Sequence, residues 1–150
     1  MEVAIITGAG SGIGLATAKA LYGMGMAIVG VGRDPGKLAK LASEIGDPGR
    51  LATLAIDITE DTAPQAIVRL ALERFGRIDF LINNAGIQHT APVERFPVER
   101  WDAVIAINLS AAFHAIRAAV PQMRERNWGR IINIASAHGL EKAAYVTAKH

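Results

Sequence analysis

The sequence predicts a doubly wound α/β domain, in which helices cover both faces of a parallel β-sheet. Short apolar runs alternate with helix-like segments along all 150 residues, and this order is typical of right-handed βαβ crossovers. Several runs are apolar at successive positions, as strands are when both faces of a sheet are covered. A glycine-rich segment, residues 7–14, follows the first run, where such folds turn from the first strand into the first helix.

Each element has its own signal. Strands are predicted at residues 3–7, 26–31, 50–55, 78–82 and 130–135. Helical periodicity lies between them, at 13–24, 36–45, 61–75 and 111–126, and a shorter helix at 98–107 precedes Asn108. Turn clusters occupy 34–36 and 46–49, and Pro35 suits the start of a helix. Because the sequence contains no linker, repeat or low-complexity segment, we expect residues 1–150 to form one domain.

Composition excludes several classes of protein. Hydrophobic residues make up 51% and charged residues 20% of the chain, which is typical of a globular domain. The absence of cysteine excludes disulfides and thiolate metal sites, and no metal site is expected. A net charge of +2 without a dense basic run argues against a nucleic-acid partner. No secretion signal precedes the first strand, and the longest apolar stretch, about residues 21–32, is too short for a membrane span. We therefore expect a soluble, cytoplasmic protein.

The glycine-rich turn predicts a dinucleotide site. Gly8, Gly12 and Gly14 have the spacing G-x-x-x-G-x-G. Such a turn needs positive φ angles and the absence of Cβ atoms where a pyrophosphate approaches. The following helix then offers its free N–H groups and the positive end of its dipole to phosphate. The alternative is a glycine-rich turn that binds nothing.

The ends of the second and third strands bear on the choice of cofactor. An acidic residue after the second strand would bind the ribose hydroxyls of NAD, whereas an arginine favours the 2′-phosphate of NADP. This chain has Arg33 followed by Asp34, so both options are present, and Arg33 could also be a solvated charge. Asp57, after the third strand, could accept a hydrogen bond from an adenine amino group, cap the next helix or start a turn.

Tyr145 and Lys149 are four residues apart, and on a helix this spacing would make their side chains project from the same face. An ammonium about 5 Å from a phenol, at an effective dielectric constant of about 20, favours the phenolate by about 3 kcal/mol. This would lower the tyrosine pKa by about two units, so that it exchanges protons near pH 7. The alternative is a half-exposed helix face.

Taken together, these residues resemble the short-chain dehydrogenase/reductase family. TGAGSGIG at residues 7–14 is similar to the cofactor turn of that family, and NNAG at 83–86 is similar to its motif after the fourth strand. The resemblance implies a Rossmann-type NAD(P)-dependent oxidoreductase. It assigns cofactor binding to Thr7, Gly8, Ser11, Gly12, Ile13, Gly14, Arg33, Asp57, Ile58, Asn84, Ala85, Gly86, Tyr145 and Lys149.

Four residues stand where this family keeps its catalytic Asn, Ser, Tyr and Lys, namely Asn108, Ser136, Tyr145 and Lys149. By the resemblance, Tyr145 is the general acid and base, and Ser136 hydrogen-bonds the substrate oxygen. Lys149 would hold the nicotinamide ribose and lower the Tyr145 pKa, and Asn108 would position a water in a proton relay. Alternatively, Asn108 is a buried amide at a helix break and Ser136 is a strand-end cap.

Within the family, residues 83–91 and 131–140 are most similar to 3-hydroxybutyrate dehydrogenases. This implies that Gln88, His138 and Lys142 bind the carboxylate of a small 3-hydroxy or 3-keto acid, next to Ser136 and Tyr145. The alternative is that they are polar residues on an open rim. The other functions left open are a 3-oxoacyl or general carbonyl reductase and a non-catalytic fragment that binds dinucleotide.

The sequence departs from the family pattern in three ways. Eight residues separate Ser136 from Tyr145, fewer than the family's loop has, and the sequence stops at His150, before the family's C-terminal part. We therefore expect an incomplete fold with an unprotected edge at residues 130–135, which alone would be poorly soluble or inactive. The resemblance to 3-hydroxybutyrate dehydrogenases implies NAD, but Arg33 slightly favours NADP. The full-length form is expected to be a homo-oligomer acting on a small molecule.

Overall fold

The computed structural model describes residues 1–136. Its elements are β1 Val3–Thr7, α1 Gly12–Gly23, β2 Ala27–Gly32, α2 Pro35–Ile45, β3 Leu51–Ala55, α3 Ala63–Phe75, β4 Phe80–Asn83, α4 Val98–Ile105, α5 Ala111–Glu125 and β5 Arg130–Asn133. The strands form one parallel sheet in the order β3-β2-β1-β4-β5. The predicted doubly wound fold is confirmed, and the predicted bounds of strands and helices differ from the observed ones by no more than two residues.

The central strand β1 separates two hydrophobic cores. All five of its residues are buried. Val3 and Ile5 pack into the core under α3 and α5, whereas Ala4 and Ile6 pack into the core under α1 and α2. Successive side chains of a strand point to opposite faces of the sheet, and the apolar residues 3–6 therefore serve both cores in turn.

Asp79 anchors the end of the sheet where the strands begin. Its carboxylate is fully buried and accepts hydrogen bonds from the Val3 amide, from Arg77 and from Arg126. Burial raises the pKa of Asp79, but these hydrogen bonds and the charge of Arg77 outweigh it and hold the pKa below its usual value. This cluster joins β1, β4 and the C-terminal end of α5.

The helices α4 and α5 are continuous through a π-helical segment, Ala106–Ser110. The sequence predicts a boundary between two separate helices here. In the structure, the Ala111 amide donates to the Ala106 carbonyl, so the chain widens to i→i+5 pairing instead of breaking. Asn108 lies in the middle of this segment. A short 3₁₀ turn, Val93–Arg95, precedes α4 and was not predicted.

The combined helix, Val98–Glu125, has 28 residues and is long and apolar enough, by length and composition alone, to cross a membrane. The prediction that no stretch is long enough is therefore wrong by this criterion, because it considered only uninterrupted apolar runs. In the structure the helix packs Ala115, Ala119 and Met123 into the core beneath the sheet. A core helix of a soluble domain meets the same criterion without crossing a membrane.

The strand β5 forms one edge of the described sheet. Within residues 1–136 it pairs with β4 alone, with Asn83 opposite Asn133. Ile131 and Ile132 are 38% and 41% exposed, as expected for an apolar strand without a second neighbour.

Candidate active site

The glycine-rich turn has the geometry that a phosphate-binding turn requires. Gly12 has φ +53°, and a Cβ built on it would meet no atom within 4 Å. In contrast, a Cβ on Gly14 would lie 2.1 Å from the Gly8 carbonyl oxygen and 2.5 Å from Nδ2 of Asn84. Gly12 therefore leaves open space at the N-terminus of α1, and Gly14 lets α1 pack closely on the turn.

Thr7 and Asn84 fasten the glycine-rich turn to the end of β4. Oγ1 of Thr7 accepts hydrogen bonds of 3.0 Å from the amides of Asn84 and Ala85. The Asn84 side chain donates to the Thr7 carbonyl over 3.0 Å. Thr7 and Asn84 are 77 residues apart in the sequence, and these bonds join the two motifs into one unit at the carboxyl edge of the sheet.

A cavity of about 560 Å³ opens beside this unit, between the glycine-rich turn and the ends of β2 and β3. Seven residues predicted to bind a dinucleotide line it: Gly8, Ser11, Arg33, Asp57, Ile58, Ala85 and Gly86. Thr7 and Asn84 do not line this cavity, but they hold its wall in place through the hydrogen bonds described above. The side chain of Ile13 is exposed. A concave site with an open glycine seat at a helix N-terminus fits the shape and charge of a dinucleotide.

The two candidate residues for cofactor selection have different surroundings. Oδ1 of Asp34 accepts hydrogen bonds from the amides of Gly36, at 2.8 Å, and Lys37, at 3.2 Å, and so caps α2. Arg33 lines the cavity and forms no ion pair within 4 Å among residues 1–136. Both residues line the cavity, but the acidic side chain is engaged in the cap of α2.

Asp57 forms a turn. Its Oδ1 accepts from the amide and the hydroxyl of Thr59, and these bonds hold the pKa of Asp57 below its usual value, with a smaller contribution from the charge of Arg33. Of the three roles that the sequence left open, the turn is observed. The cap position of α3 is occupied by Thr62 instead. A contact between Asp57 and adenine stays a prediction.

Asn108 is buried and pairs with the backbone of Ile87. Its Oδ1 accepts from the Ile87 amide over 2.9 Å, and its Nδ2 donates to the Ile87 carbonyl over 2.8 Å. The structure therefore shows the buried-amide alternative, at a π-helical segment rather than at a helix break. A relay water on Asn108 stays a prediction, and the side chain already has two partners.

Two further predicted residues, Gln88 and Ser136, fall within the described part of the chain. Gln88 directly follows Ile87 and is exposed. Ser136 is half-buried and follows β5 by three residues, on the edge where Asn83 and Asn133 join the ends of β4 and β5 by a side-chain hydrogen bond of 2.9 Å. A second cavity, of about 250 Å³, opens between this bond, Asn108 and α5.

The remaining predicted residues are His138, Lys142, Tyr145 and Lys149, and all four lie outside the described residues. Among residues 1–136 there is no group of three or more His, Asp or Glu side chains that could hold a metal ion.

Lys37 also lines the larger cavity and was not among the residues predicted from the sequence. The order Asp34-Pro35 could have located the start of α2, and with it Lys37 in the first turn.

Comparison of the sequence with known proteins identifies related enzymes. The family model for short chain dehydrogenases matches residues 2–150. The chain is 47% identical over 155 aligned positions to the D-beta-hydroxybutyrate dehydrogenase of Cupriavidus necator and 45% identical over 157 to that of Rhizobium meliloti. Each match covers 99% of this chain and 60% of the relative. The chain thus spans about 60% of the length of these curated relatives.

Solved structures agree with the fold. NAD⁺-bound xylitol dehydrogenase superposes with a TM-score of 0.92 at 38% identity, over 99% of this chain and 59% of that one. A short-chain dehydrogenase from Streptomyces avermitilis superposes with a TM-score of 0.91 at 31% identity, over 99% of this chain and 55% of that one.

Proposed function

Because the chain belongs to the short-chain dehydrogenase family, an oxidoreductase family, we propose that it transfers a hydride between NAD(P) and a small 3-hydroxy acid. The proposed substrate pair is 3-hydroxybutyrate and acetoacetate, which the names of its 45–47% identical relatives support. The observation that carries the proposal is the cavity beside the glycine-rich turn, where Gly12 leaves open space. Thr7 and Asn84 hold this turn against the end of β4.

The contacts of the described residues support cofactor binding at this cavity. A bound nicotinamide dinucleotide supplies the hydride chemistry. The space at Gly12 and the N-terminal amides of α1 receive the pyrophosphate. The bonds between Thr7 and Asn84 keep the residues 83–86 in a fixed position along the cavity, so that little reorganisation is needed on binding.

The proton chemistry is assigned to Tyr145. In ketone reduction its hydroxyl gives a proton to the substrate oxygen, and in alcohol oxidation the phenolate takes that proton back. Lys149 stabilises the phenolate, and Ser136 donates a hydrogen bond to the same oxygen as negative charge develops there. The support for these roles is the spacing of the residues in the sequence, together with the position of Ser136 three residues after β5.

Recognition of the substrate carboxylate is assigned to Gln88, His138 and Lys142. An amide, an imidazole and an ammonium can all donate hydrogen bonds to a carboxylate. The described structure supports the first of these, because Asn108 holds the backbone of Ile87 from both sides and so fixes the segment that carries Gln88. For the cofactor, the charge of Arg33 at the cavity and the engagement of Asp34 in the cap of α2 support NADP over NAD.

The function is tested by comparing substrates of matched size. For the full-length form, we expect kcat/KM for acetoacetate to exceed that for the neutral ketone 2-pentanone by at least about 100-fold, as the loss of paired charged groups implies. Equal values for the two would instead indicate a general carbonyl reductase. Measurable cofactor binding with no turnover of either would indicate a dinucleotide-binding protein without catalysis.

The chain offers a matched control for the catalytic residue, since it contains two tyrosines. Tyr145→Phe should abolish turnover and leave cofactor affinity nearly unchanged. Tyr22→Phe should retain activity, because Tyr22 lies away from the cavity, with its ring beneath the guanidinium of Arg50 at 3.8 Å. Substantial activity in Tyr145→Phe would refute the assigned acid and base.

A further inference from the structure

Gln88, which the proposed function assigns to the substrate carboxylate, lies between two residues that pack against the protein. Ile87 and His89 are both half-buried, whereas Gln88 and Thr90 are exposed. Ile87 also lines the larger cavity, so that Gln88 directly follows the wall of the candidate cofactor site. The conformation of this short segment therefore decides where the Gln88 amide lies relative to the cavity.

The side chains of Ile87 and His89 contact one small group of apolar residues. Ile87 and Phe96 both pack against Val104, which is fully buried. The rings of His89 and Phe96 meet edge to face, with centroids 5.3 Å apart and an interplanar angle of 82°. Phe96 meets the ring of Trp101 in the same manner, at 6.4 Å and 85°. The segment is therefore held against α4 at two points.

Within residues 1–136, His89 is held by packing. Its imidazole forms no hydrogen bond with any residue of this part of the chain, and the backbone of residues 88–91 forms none there either. Ile87 differs, because Asn108 bonds both its amide and its carbonyl. Edge-to-face ring pairs stabilise beyond the area they bury, so the contact with Phe96 fixes the chain after Gln88.

We propose that His89 is a positioning residue that acts through Gln88. The ring of His89 holds the backbone after Gln88 by its contact with Phe96. The two hydrogen bonds of Asn108 hold the backbone before it, at Ile87. The Gln88 amide is thereby preorganised for the substrate carboxylate. The role requires the ring as a packing surface and no proton from the imidazole. This inference rests on the proposed function, which makes Gln88 a ligand of the substrate.

The kinetic test uses the full-length form and two ketones, acetoacetate and the neutral 2-pentanone. We expect His89→Ala to raise KM for acetoacetate about fivefold, as the loss of an aromatic pair implies. The same change should alter kcat, and KM for 2-pentanone, by less than about twofold. His89→Phe keeps an aromatic ring and should restore most of the affinity. His89→Gln keeps a polar group without the ring and should resemble His89→Ala.

A double mutant separates positioning from a general effect on the fold. If His89 acts through Gln88, His89→Ala should raise the KM of a Gln88→Ala variant by less than about twofold. An unchanged KM for acetoacetate in His89→Ala, an equal rise for both ketones, or full additivity with Gln88→Ala would overturn the inference. So would a His89→Phe variant as impaired as His89→Ala.

His114→Ala is the matched control and should leave both values of KM unchanged. The His114 ring makes a similar edge-to-face contact, with Phe113 at a centroid distance of 5.2 Å. It lies on α5 and does not line the larger cavity.

Hydrogen exchange separates failure of this inference from failure of the proposed function. The Ile87 amide, which donates to Asn108, reports on the segment without any substrate. We expect His89→Ala to speed its exchange about fivefold and His89→Phe to leave it nearly unchanged. Equal exchange in all three proteins would overturn the inference. If the unmodified enzyme does not prefer acetoacetate, the proposed substrate is wrong, and faster exchange in His89→Ala would leave the positioning of Gln88 standing.

Discussion

At the scale of single residues, two buried polar side chains join segments that are distant in the sequence. Asn108 holds Ile87 at the end of the sheet that carries the cavity, and Asp79 joins Val3, Arg77 and Arg126 at the opposite end. A buried polar group is costly unless it is paired. Both residues are therefore expected to matter for stability, although only Asn108 lies near the proposed site.

Replacing Asn108 by alanine should lower the free energy of unfolding by about 2 kcal/mol, because the amide and carbonyl of Ile87 lose their partners. The same change should lower affinity for the substrate through Gln88, which follows Ile87. Urea denaturation and KM measure the two effects. Ser110→Ala, in the same π-helical segment, should stay within about 0.5 kcal/mol of the unmodified protein. An Asn108→Ala variant with unaltered stability would show that the contact with Ile87 is dispensable.

Replacing Asp79 by asparagine should lower the free energy of unfolding at pH 7 by about 3 kcal/mol, because two guanidinium groups lose their counter-charge. The pKa of Asp79 is lower in the folded state than the unfolded value of about 3.9. The stabilisation is therefore fully present above about pH 4 and is lost as the pH falls further, through the folded-state pKa.

Urea denaturation at pH 7 and at successively lower pH measures this dependence. The difference in stability between the unmodified protein and Asp79→Asn should shrink as the pH falls below about 4. Asp102→Asn, at an exposed position of α4, serves as the control and should show little difference at either pH. A difference for Asp79→Asn that does not vary with pH would contradict the assignment.

At the scale of elements, the turn between β1 and α1 contains two glycines, Gly12 and Gly14, that meet different structural requirements. Gly14 is needed for contact, since a side chain there would collide with the Gly8 carbonyl, whereas Gly12 leaves space and has a positive φ angle. The same segment thus supports both the packing of α1 and the binding of a phosphate. Substitutions should separate the two functions.

Gly14→Ala should destabilise the domain by about 3 kcal/mol, because α1 must move away from the turn. Gly12→Ala should cost about 1–2 kcal/mol in backbone strain and should weaken cofactor binding more than tenfold by filling the phosphate seat. Thermal unfolding and calorimetry with NADP distinguish these outcomes. Gly23→Ala, at the end of α1 with no atom within 4 Å of its Cβ, is the control. Normal cofactor affinity in Gly12→Ala would refute the phosphate seat.

At the scale of the whole molecule, the sheet ties together two cores that do not touch through their side chains. Ile5 belongs to the core under α3 and α5, and Ile6 belongs to the core under α1 and α2. Because both residues lie on β1, loss of packing on either face loosens the strand that the other face needs. The domain should therefore unfold as one cooperative unit.

Ile5→Val and Ile6→Val should each lower the free energy of unfolding by about 1 kcal/mol. In both variants, circular dichroism and tryptophan fluorescence should report the same single transition. Trp128 is a suitable probe in a Trp101→Phe background, because its ring packs edge-on against Phe80 with ring centroids 5.4 Å apart. Val98→Ala, at a position 70% exposed, should have little effect. Two separate transitions in either core variant would show that the faces unfold independently.

Much of the fold could be predicted because its signals are local. The alternation of strands and helices, the glycine-rich turn and the largely apolar β1 and β2 are visible within short windows of sequence. The π-helical segment was missed because its composition does not differ from that of an ordinary helix. Ile87, the observed partner of Asn108, lies 21 residues before it in the sequence. A short window of sequence does not contain both residues.

The candidate site, like the fold, could be predicted only in part from the sequence. The sequence by itself determined the family, the glycine seat and the identity of the proposed catalytic residues, since these depend on residue types at fixed spacing. Only the tertiary structure decided that Asp34 caps α2, that Asn108 holds Ile87, and that Lys37 shares a cavity with Arg33. The physical reason is that a hydrogen bond or a cavity wall depends on which segments the sheet brings together, and spacing along the chain does not specify those distances.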